Sequence, residues 1–371
     1  MNTIRQTLLK LEAEGNLRTI PEKMSCFVDF SENDYLGIAS DVEFRKDFLR
    51  NLDASNFFPS SSASRLLASR QDAYVSLENL LSESYGRAAL LFNSGYHANT
   101  GMVAALGGKD TLFLADKLVH ASIIDGLTLS GSEFRRFRHN DMAHLERLIE
   151  RYGSGYARVV IIAESIYSMD GDSAPVAELV AMKRLHPGAM LYIDEAHAVG
   201  VCGDNGLGIC APYRPQVDIV VGTFGKALAS EGAFAVMDDV MKRYMVNRCR
   251  SLIFSTALSP FMVSWSEYVF RNMLGMDDRR NRLCHLGREL GEITGSGSTS
   301  HIQPYVVGDA HRVVALSRQL AHVGIKVLPI RTPTVPPATE RLRFSLSATM
   351  KDSDMSLLRD AMKEIKNTIT S

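Results

Sequence analysis

The feature that most constrains this chain is an alternation of two patterns. From about residue 72, short β-rich apolar runs take turns with segments whose apolar residues recur at helical spacing. The strand candidates are 88–92 (AALLF), 111–116 (TLFLAD), 134–137 (FRRF), 158–164 (RVVIIAE), 190–194 (MLYID), 218–224 (DIVVGTF) and 232–237 (GAFAVM). Helical spacing covers 72–85, 95–106, 119–130, 141–151 and 176–185. Strands separated by helices of this length predict an α/β fold, with a parallel or mostly parallel sheet covered on both faces.

A second block begins after about residue 275. It follows the charge cluster DDRRNR (277–282) and is interrupted by GSGSTS (295–300). It reads strand 302–307, helix 312–322, strand 325–329, strand 341–347 and helix 354–368. The expected organisation is an N-terminal segment 1–38, a large domain 39–275 and a small α/β domain 276–371. The N-terminal segment is expected to pack on the small domain or on a partner subunit.

Composition removes several classes. Lys plus Arg is 41 against 42 Asp plus Glu, a net charge of -1. A dedicated nucleic-acid binder would be basic, and a disordered chain would carry more charge excess. No run approaches the roughly 18 apolar residues of a membrane helix. The N-terminal residues mix charge and apolar side chains too finely for a secretory or organelle leader. Cysteine is odd in number, five, with no C-x-x-C pair. A disulfide framework or zinc site is therefore not expected, and a reducing compartment, the cytoplasm, fits.

In open α/β sheets ligands bind beyond the carboxyl ends of the strands. Polar clusters follow four strand candidates here: Asn93–His97, Glu164–Asp172, Asp194–His197 and Thr223–Lys226. Gly225-Lys226 is not a nucleotide loop. The upstream glycine, Gly222, is too close, and Ala227 stands where a magnesium-binding hydroxyl belongs. A lysine at a strand end can instead attack a carbonyl as a neutral amine. Asp194 closes an apolar strand, where an unpaired carboxylate is costly. It suits the role of partner to a pyridinium nitrogen, with His197 reaching a phenolic oxygen on the same ring. Gly95 and Tyr96 open a helix whose free N–H groups suit a phosphate, and Thr223 could add a hydroxyl. His120 opens another helix, either as its cap or lying over an aromatic ring.

These residues, taken with longer strings, resemble one family. FSENDYLG (30–37), SRLL (64–67), FNSGYHAN (92–99), HASIIDG (120–126), RRFRHND (135–141), SMDGD (168–172), DEAHAVGVCGDNGLG (194–208), GTFGKA (222–227) and RTPTVPPATERLRFSLSA (331–348) are similar in order and spacing to the α-oxoamine synthases. Those are fold-type I pyridoxal phosphate enzymes. The resemblance implies a large, mostly parallel seven-stranded sheet domain, a small C-terminal domain and a homodimer with shared active sites. It implies pyridoxal 5'-phosphate on Lys226 and no metal. His120 would stack on the ring, and Ser168 would contact it on the same side as His197. Ser255 and Thr256 would reach the partner subunit's phosphate. Arg343 would hold the amino-acid carboxylate, with Arg341 its competitor on the same strand. Arg18, Asn33 and Thr334 would contact substrate.

The segment Ile330–Pro336 and the Ile302–Asp309 region resemble members that join L-alanine to a pimeloyl thioester, with loss of CO₂, in biotin biosynthesis. The alternatives are a relative that uses glycine or a long-chain acyl-CoA, or a silent scaffold subunit. The chain departs from the family pattern at Pro59–Ala63, Ala68–Asp72 and Ala229–Gly232, where glycine and histidine are usual.

Overall fold

The computed structural model describes residues 1–20, 28–53 and 57–370; Cys26 lies outside them. Contacts divide the chain into two compact units. The larger comprises Leu36–Tyr167 and Asp172–Arg280; the smaller comprises Met1–Tyr35, Ser168–Gly171 and Asn281–Ser371.

The larger unit is built on seven strands: β1 (Ala88–Phe92), β2 (Thr111–Asp116), β3 (Glu133–Phe137), β4 (Arg158–Glu164), β5 (Ala189–Asp194), β6 (Ile219–Thr223) and β7 (Ala233–Met237). Their order across the sheet is β1-β7-β6-β5-β4-β2-β3. All pairs are parallel except those of β7, which runs antiparallel to both neighbours. β1 therefore points the same way as β4, β5 and β6, and the polar ends of these strands share one rim. All seven strands match the runs expected from sequence to within a residue at each end.

Period-2 alternation sorts the side chains by face. Phe113, Val160, Ile162, Tyr192, Val221 and Ala235 belong to one buried cluster with Ala98, Met102 and Ile123, which lie on the helices Gly95–Leu106 and Ala121–Ser130. Asp194 has the parity of Tyr192, and Glu164 that of Ile162. Both carboxyls therefore face the helices, not the opposite layer. The two helices approach closely at Gly126, where an added Cβ would come within 2.8 Å of Val103. Only glycine allows that spacing.

The smaller unit has a three-stranded antiparallel sheet, with Arg341–Ser345 between Leu328–Ile330 and Ile302–Val306. Leu342 and Phe344 of the middle strand are fully buried. The single strand expected over 325–329 is in fact two. Ile325–Lys326 pairs in parallel with Val28–Asp29, and Leu328–Ile330 joins the antiparallel sheet. The chain changes partner at buried Val327, while Lys326 Nζ holds Asp29 at 2.6 Å. Helices Asn2–Ala13, Val42–Arg50, Asp239–Arg248 and Pro260–Met273 add to those expected. No helix of the described residues is long and apolar enough to cross a membrane.

At the rim of the larger unit, His139 donates from Nδ1 to Asp116 (2.9 Å) and from Nε2 to Asp172 (2.7 Å). Burial opposes the charge, but the two carboxylates outweigh it and hold the imidazole pKa at about 10. The free value is about 6.5. A folded pKa above the unfolded one stabilises fully below pH ~6.5, and the benefit is lost as pH rises through 10. Melting temperatures measured between those limits should fall in the native protein and fall less steeply in His139→Gln. Equal slopes would refute this assignment.

Candidate active site

Asp194 ends β5, the middle strand of the sheet, and is 5 % exposed. A carboxylate so placed needs donors. Asn99 Nδ2 donates to its Oδ2 at 2.6 Å, and the Ala196 N–H donates to Oδ1 at 2.8 Å. Asn99 is itself held, because its Oδ1 accepts from Tyr192 O–H at 2.7 Å and its Nδ2 also reaches Ser122 Oγ at 3.0 Å. Asn99 lies in the helix Gly95–Leu106, within the FNSGYHAN string, yet residue typing alone missed it. The signal was an amide one helical turn into a phosphate-type helix start.

Glu164 pairs with Asp194 across β4 and β5 and accepts the backbone N–H of His120. Burial, reinforced by the charge of Asp194, pushes its pKa well up, against the pull of Lys226. Two ionised carboxyls side by side would repel, so the neutral form of Glu164 is favoured.

Lys226 Nζ lies 2.7 Å from His197 Nε2, and His197 is buried. The connection from β6 to β7 carries Lys226 past the rim. His120 caps the helix Ala121–Ser130, its Nδ1 accepting from the Ser122 N–H at 3.2 Å, so the capping role holds. Burial lowers its pKa, helped by the charge of Lys226 and opposed by Asp194. Its ring is neutral near pH 7.

Ser94 caps the helix Gly95–Leu106 and accepts the His97 N–H at 3.1 Å. A Cβ added at Gly95 would lie 3.9 Å from Thr223 Cβ and Oγ1. The helix start and Thr223 thus form one cradle. Tyr96 is half-exposed and bonds Asp125 through its hydroxyl. Asn93 Nδ2 donates to Ser255 Oγ at 3.2 Å and to the Thr256 carbonyl at 2.5 Å, which places that pair beside the same turn. The larger unit thus brings together Gly95, Tyr96, His120, Asp194, His197, Thr223, Lys226, Ser255 and Thr256.

The remaining expected residues belong to the smaller unit. Arg343 is 4 % exposed and donates to the Ser168 carbonyl (2.6 Å), Ser345 Oγ (2.7 Å) and Asn33 Oδ1 (3.2 Å). These partners are all neutral. Its competitor Arg341 is ion-paired to Asp170, so Arg343 is the better candidate for a ligand carboxylate. Arg18 Nη2 donates to Thr334 Oγ1 at 2.7 Å. Arg331 donates to the Gly15 and Leu17 carbonyls at 2.5 and 3.3 Å. Burial lowers the Arg331 pKa and the charge of Arg18 lowers it further.

A ring cofactor with a protonated nitrogen, a phosphate and an aldehyde needs a buried carboxylate, an N–H cradle and an amine. Asp194 held by Asn99, the Gly95–Thr223 cradle and Lys226 supply these three, so the residues fit pyridoxal phosphate.

Comparison with known proteins agrees. The aminotransferase class I and II family matches residues 26–362, and the chain belongs to that family. Within it, the chain is a pyridoxal phosphate-dependent acyltransferase of the α-oxoamine synthase group. An 8-amino-7-oxononanoate synthase of Haemophilus ducreyi is 44% identical over 381 residues, covering 96% of this chain and 98% of that protein. Serine palmitoyltransferase of Sphingomonas wittichii superposes with a TM-score of 0.89 at 28% identity, covering 99% and 97% of the two chains. The 8-amino-7-oxononanoate synthase of Francisella tularensis superposes with a TM-score of 0.77 at 26% identity, covering 92% and 99%.

Asn99→Ala should leave Asp194 Oδ2 and the Tyr192 hydroxyl without their donor and acceptor. An unsatisfied buried group costs about 1–3 kcal/mol. Cofactor affinity, measured by fluorescence titration of the apoprotein, should weaken about ten- to a hundredfold. An unchanged affinity would remove Asn99 from the site.

Proposed function

We propose that the chain acts as an 8-amino-7-oxononanoate synthase, joining L-alanine to a pimeloyl thioester with loss of CO₂ in biotin biosynthesis. The observation that carries this reading is the pair Arg18 and Arg331. Two guanidinium groups, close enough that the charge of Arg18 adds to burial in lowering the Arg331 pKa, share the Thr334 region with no carboxylate among their hydrogen-bond partners in the described residues. Such a pair suits an anionic ligand group. The pimeloyl chain ends in a free carboxylate, whereas an acetyl or long-chain acyl group does not.

When bound, pyridoxal phosphate supplies an electron sink for negative charge at the amino acid's α-carbon. Asp194 would pair with the ring nitrogen and favour its protonated form, and Glu164 beside it is pushed toward its neutral form. Lys226 would hold the cofactor's aldehyde carbon and, during turnover, would take the α-proton at Nζ as general base. His197 would orient Lys226 and contact the ring oxygen with Ser168. His120, neutral near pH 7, would cover the ring and shield the site from water. Arg343, with Asn33, would hold the amino-acid carboxylate in the bidentate manner of a guanidinium. Gly95, Tyr96 and Thr223 would hold the phosphate. Ser255 and Thr256 would reach the phosphate of a second copy, in a cytoplasmic homodimer.

The native protein, loaded with pyridoxal phosphate, should show the visible absorbance of lysine-bound cofactor, and Lys226→Ala should lack it. A substrate panel with product mass tests the specificity: alanine with pimeloyl-CoA should turn over faster than glycine or serine with any thioester. Turnover of glycine alone would defeat the reading. Arg331→Gln should raise the pimeloyl-CoA KM about ten- to a hundredfold, the loss of a charge-assisted hydrogen bond, with the alanine KM unchanged. Equal rises in both would place Arg331 elsewhere.

A further inference from the structure

The turn after Lys226 holds a backbone conformation that its sequence disfavours. Ala229 has φ 45°, in the left-handed region, where a Cβ crowds the following carbonyl oxygen. Alanine reaches this region roughly tenfold less readily than its usual conformations, a bias glycine does not share. Something must hold the turn.

Two neighbouring residues of the helix Pro260–Met273 do so. Trp265 Nε1 donates to the Ala229 carbonyl at 3.1 Å, and Ser266 Oγ meets Ser230 Oγ at 2.8 Å. From the other side, the Ala229 N–H returns to the Lys226 carbonyl at 2.9 Å. The turn is thus tied at one end to Lys226 and at the other to the helix. The indole is itself immobilised. It is 8 % exposed, lies edge-on to Phe48 at 5.1 Å and Phe44 at 5.8 Å, and stacks on Tyr268 at 6.0 Å. An indole has a single donor, and here it goes to a backbone carbonyl three residues from the lysine.

We propose that Trp265 is a positioning residue for Lys226: its indole N–H braces Ala229 in the left-handed turn, and the turn fixes where the lysine amine points. The proposal rests on the reading that Lys226 carries the cofactor. The brace itself is a property of the chain with or without the cofactor.

The test is a double-mutant cycle. Trp265→Phe keeps a large aromatic ring and removes the donor. It should lower kcat about three- to tenfold, the worth of one hydrogen bond, with the alanine KM unchanged. It should also shift the pH at which the visible band of lysine-bound cofactor changes. Ala229→Gly needs no brace, so adding it to Trp265→Phe should return kcat and band to within twofold of the native protein. A defect that glycine does not repair would reduce Trp265 to packing and overturn the proposal. So would a Trp265→Phe variant with native kcat and band.

Melting temperatures of the apoprotein give the second readout. Ala229→Gly should stabilise the Trp265→Phe background more than the native one, and simple additivity would overturn the brace. If Trp265→Phe does not fold, Ser266→Ala replaces it, with a smaller loss that Ala229→Gly also repairs; no repair again overturns the proposal. A native protein without a visible band would defeat the cofactor reading alone, since the apoprotein coupling does not depend on it.

Discussion

A buried carboxylate at the end of the middle strand sets the terms for the rest of the larger unit. Asp194 is nearly inaccessible, and a charge there is tolerated only with donors in place. The sheet's alternation turns Tyr192 and Asp194 toward the same helices. Asn99 then satisfies both, accepting from one and donating to the other. The neighbouring strand ends in a second carboxyl, Glu164, in direct register. Its raised pKa follows from burial and from that neighbour. The pair is therefore biased against a second negative charge. His120 titrates in the field of the same carboxylate, Asp194.

The smaller unit shows the same logic with opposite sign. Of two buried arginines on one strand, Arg341 is neutralised by Asp170, whereas Arg343 bonds the neutral oxygens of Ser168, Ser345 and Asn33. Arg331 and Arg18 repel each other near Thr334. A chain with a net charge of -1 thus contains local cationic centres suited to carboxylates. The overall balance excludes a nucleic-acid footprint but does not describe these sites.

The legible part of the sequence was local. Short apolar runs marked all seven strands, helical spacing marked the segments between them, and the polar clusters after four of the strands marked the rim. Lys226, Asp194 and His197 stood out because their chemistry is conspicuous at strand ends. Asn99 did not, because its meaning depends on Asp194, 95 positions away in the chain. Arg341 and Arg343 have equal parity, and only the position of Asp170 separates them. The helix Pro260–Met273 carries a readable start in Ser259-Pro260, a cap followed by proline. Its apolar face recurs at helical spacing in Val263, Val269, Phe270 and Met273, but the polar Ser266 is buried on that face with them and blurs the pattern. The partner switch at Val327 was hidden because one apolar run served two sheets.

As the reading proposed above has it, these residues would steer a decarboxylative condensation. The most direct measurement uses alanine labelled with ¹³C in its carboxyl group, incubated with the cofactor-loaded protein and pimeloyl-CoA. Labelled CO₂ should be released in step with free coenzyme A, and the amino-ketone product should be unlabelled. Label retained in the product, or pyruvate formed with no coenzyme A released, would contradict it.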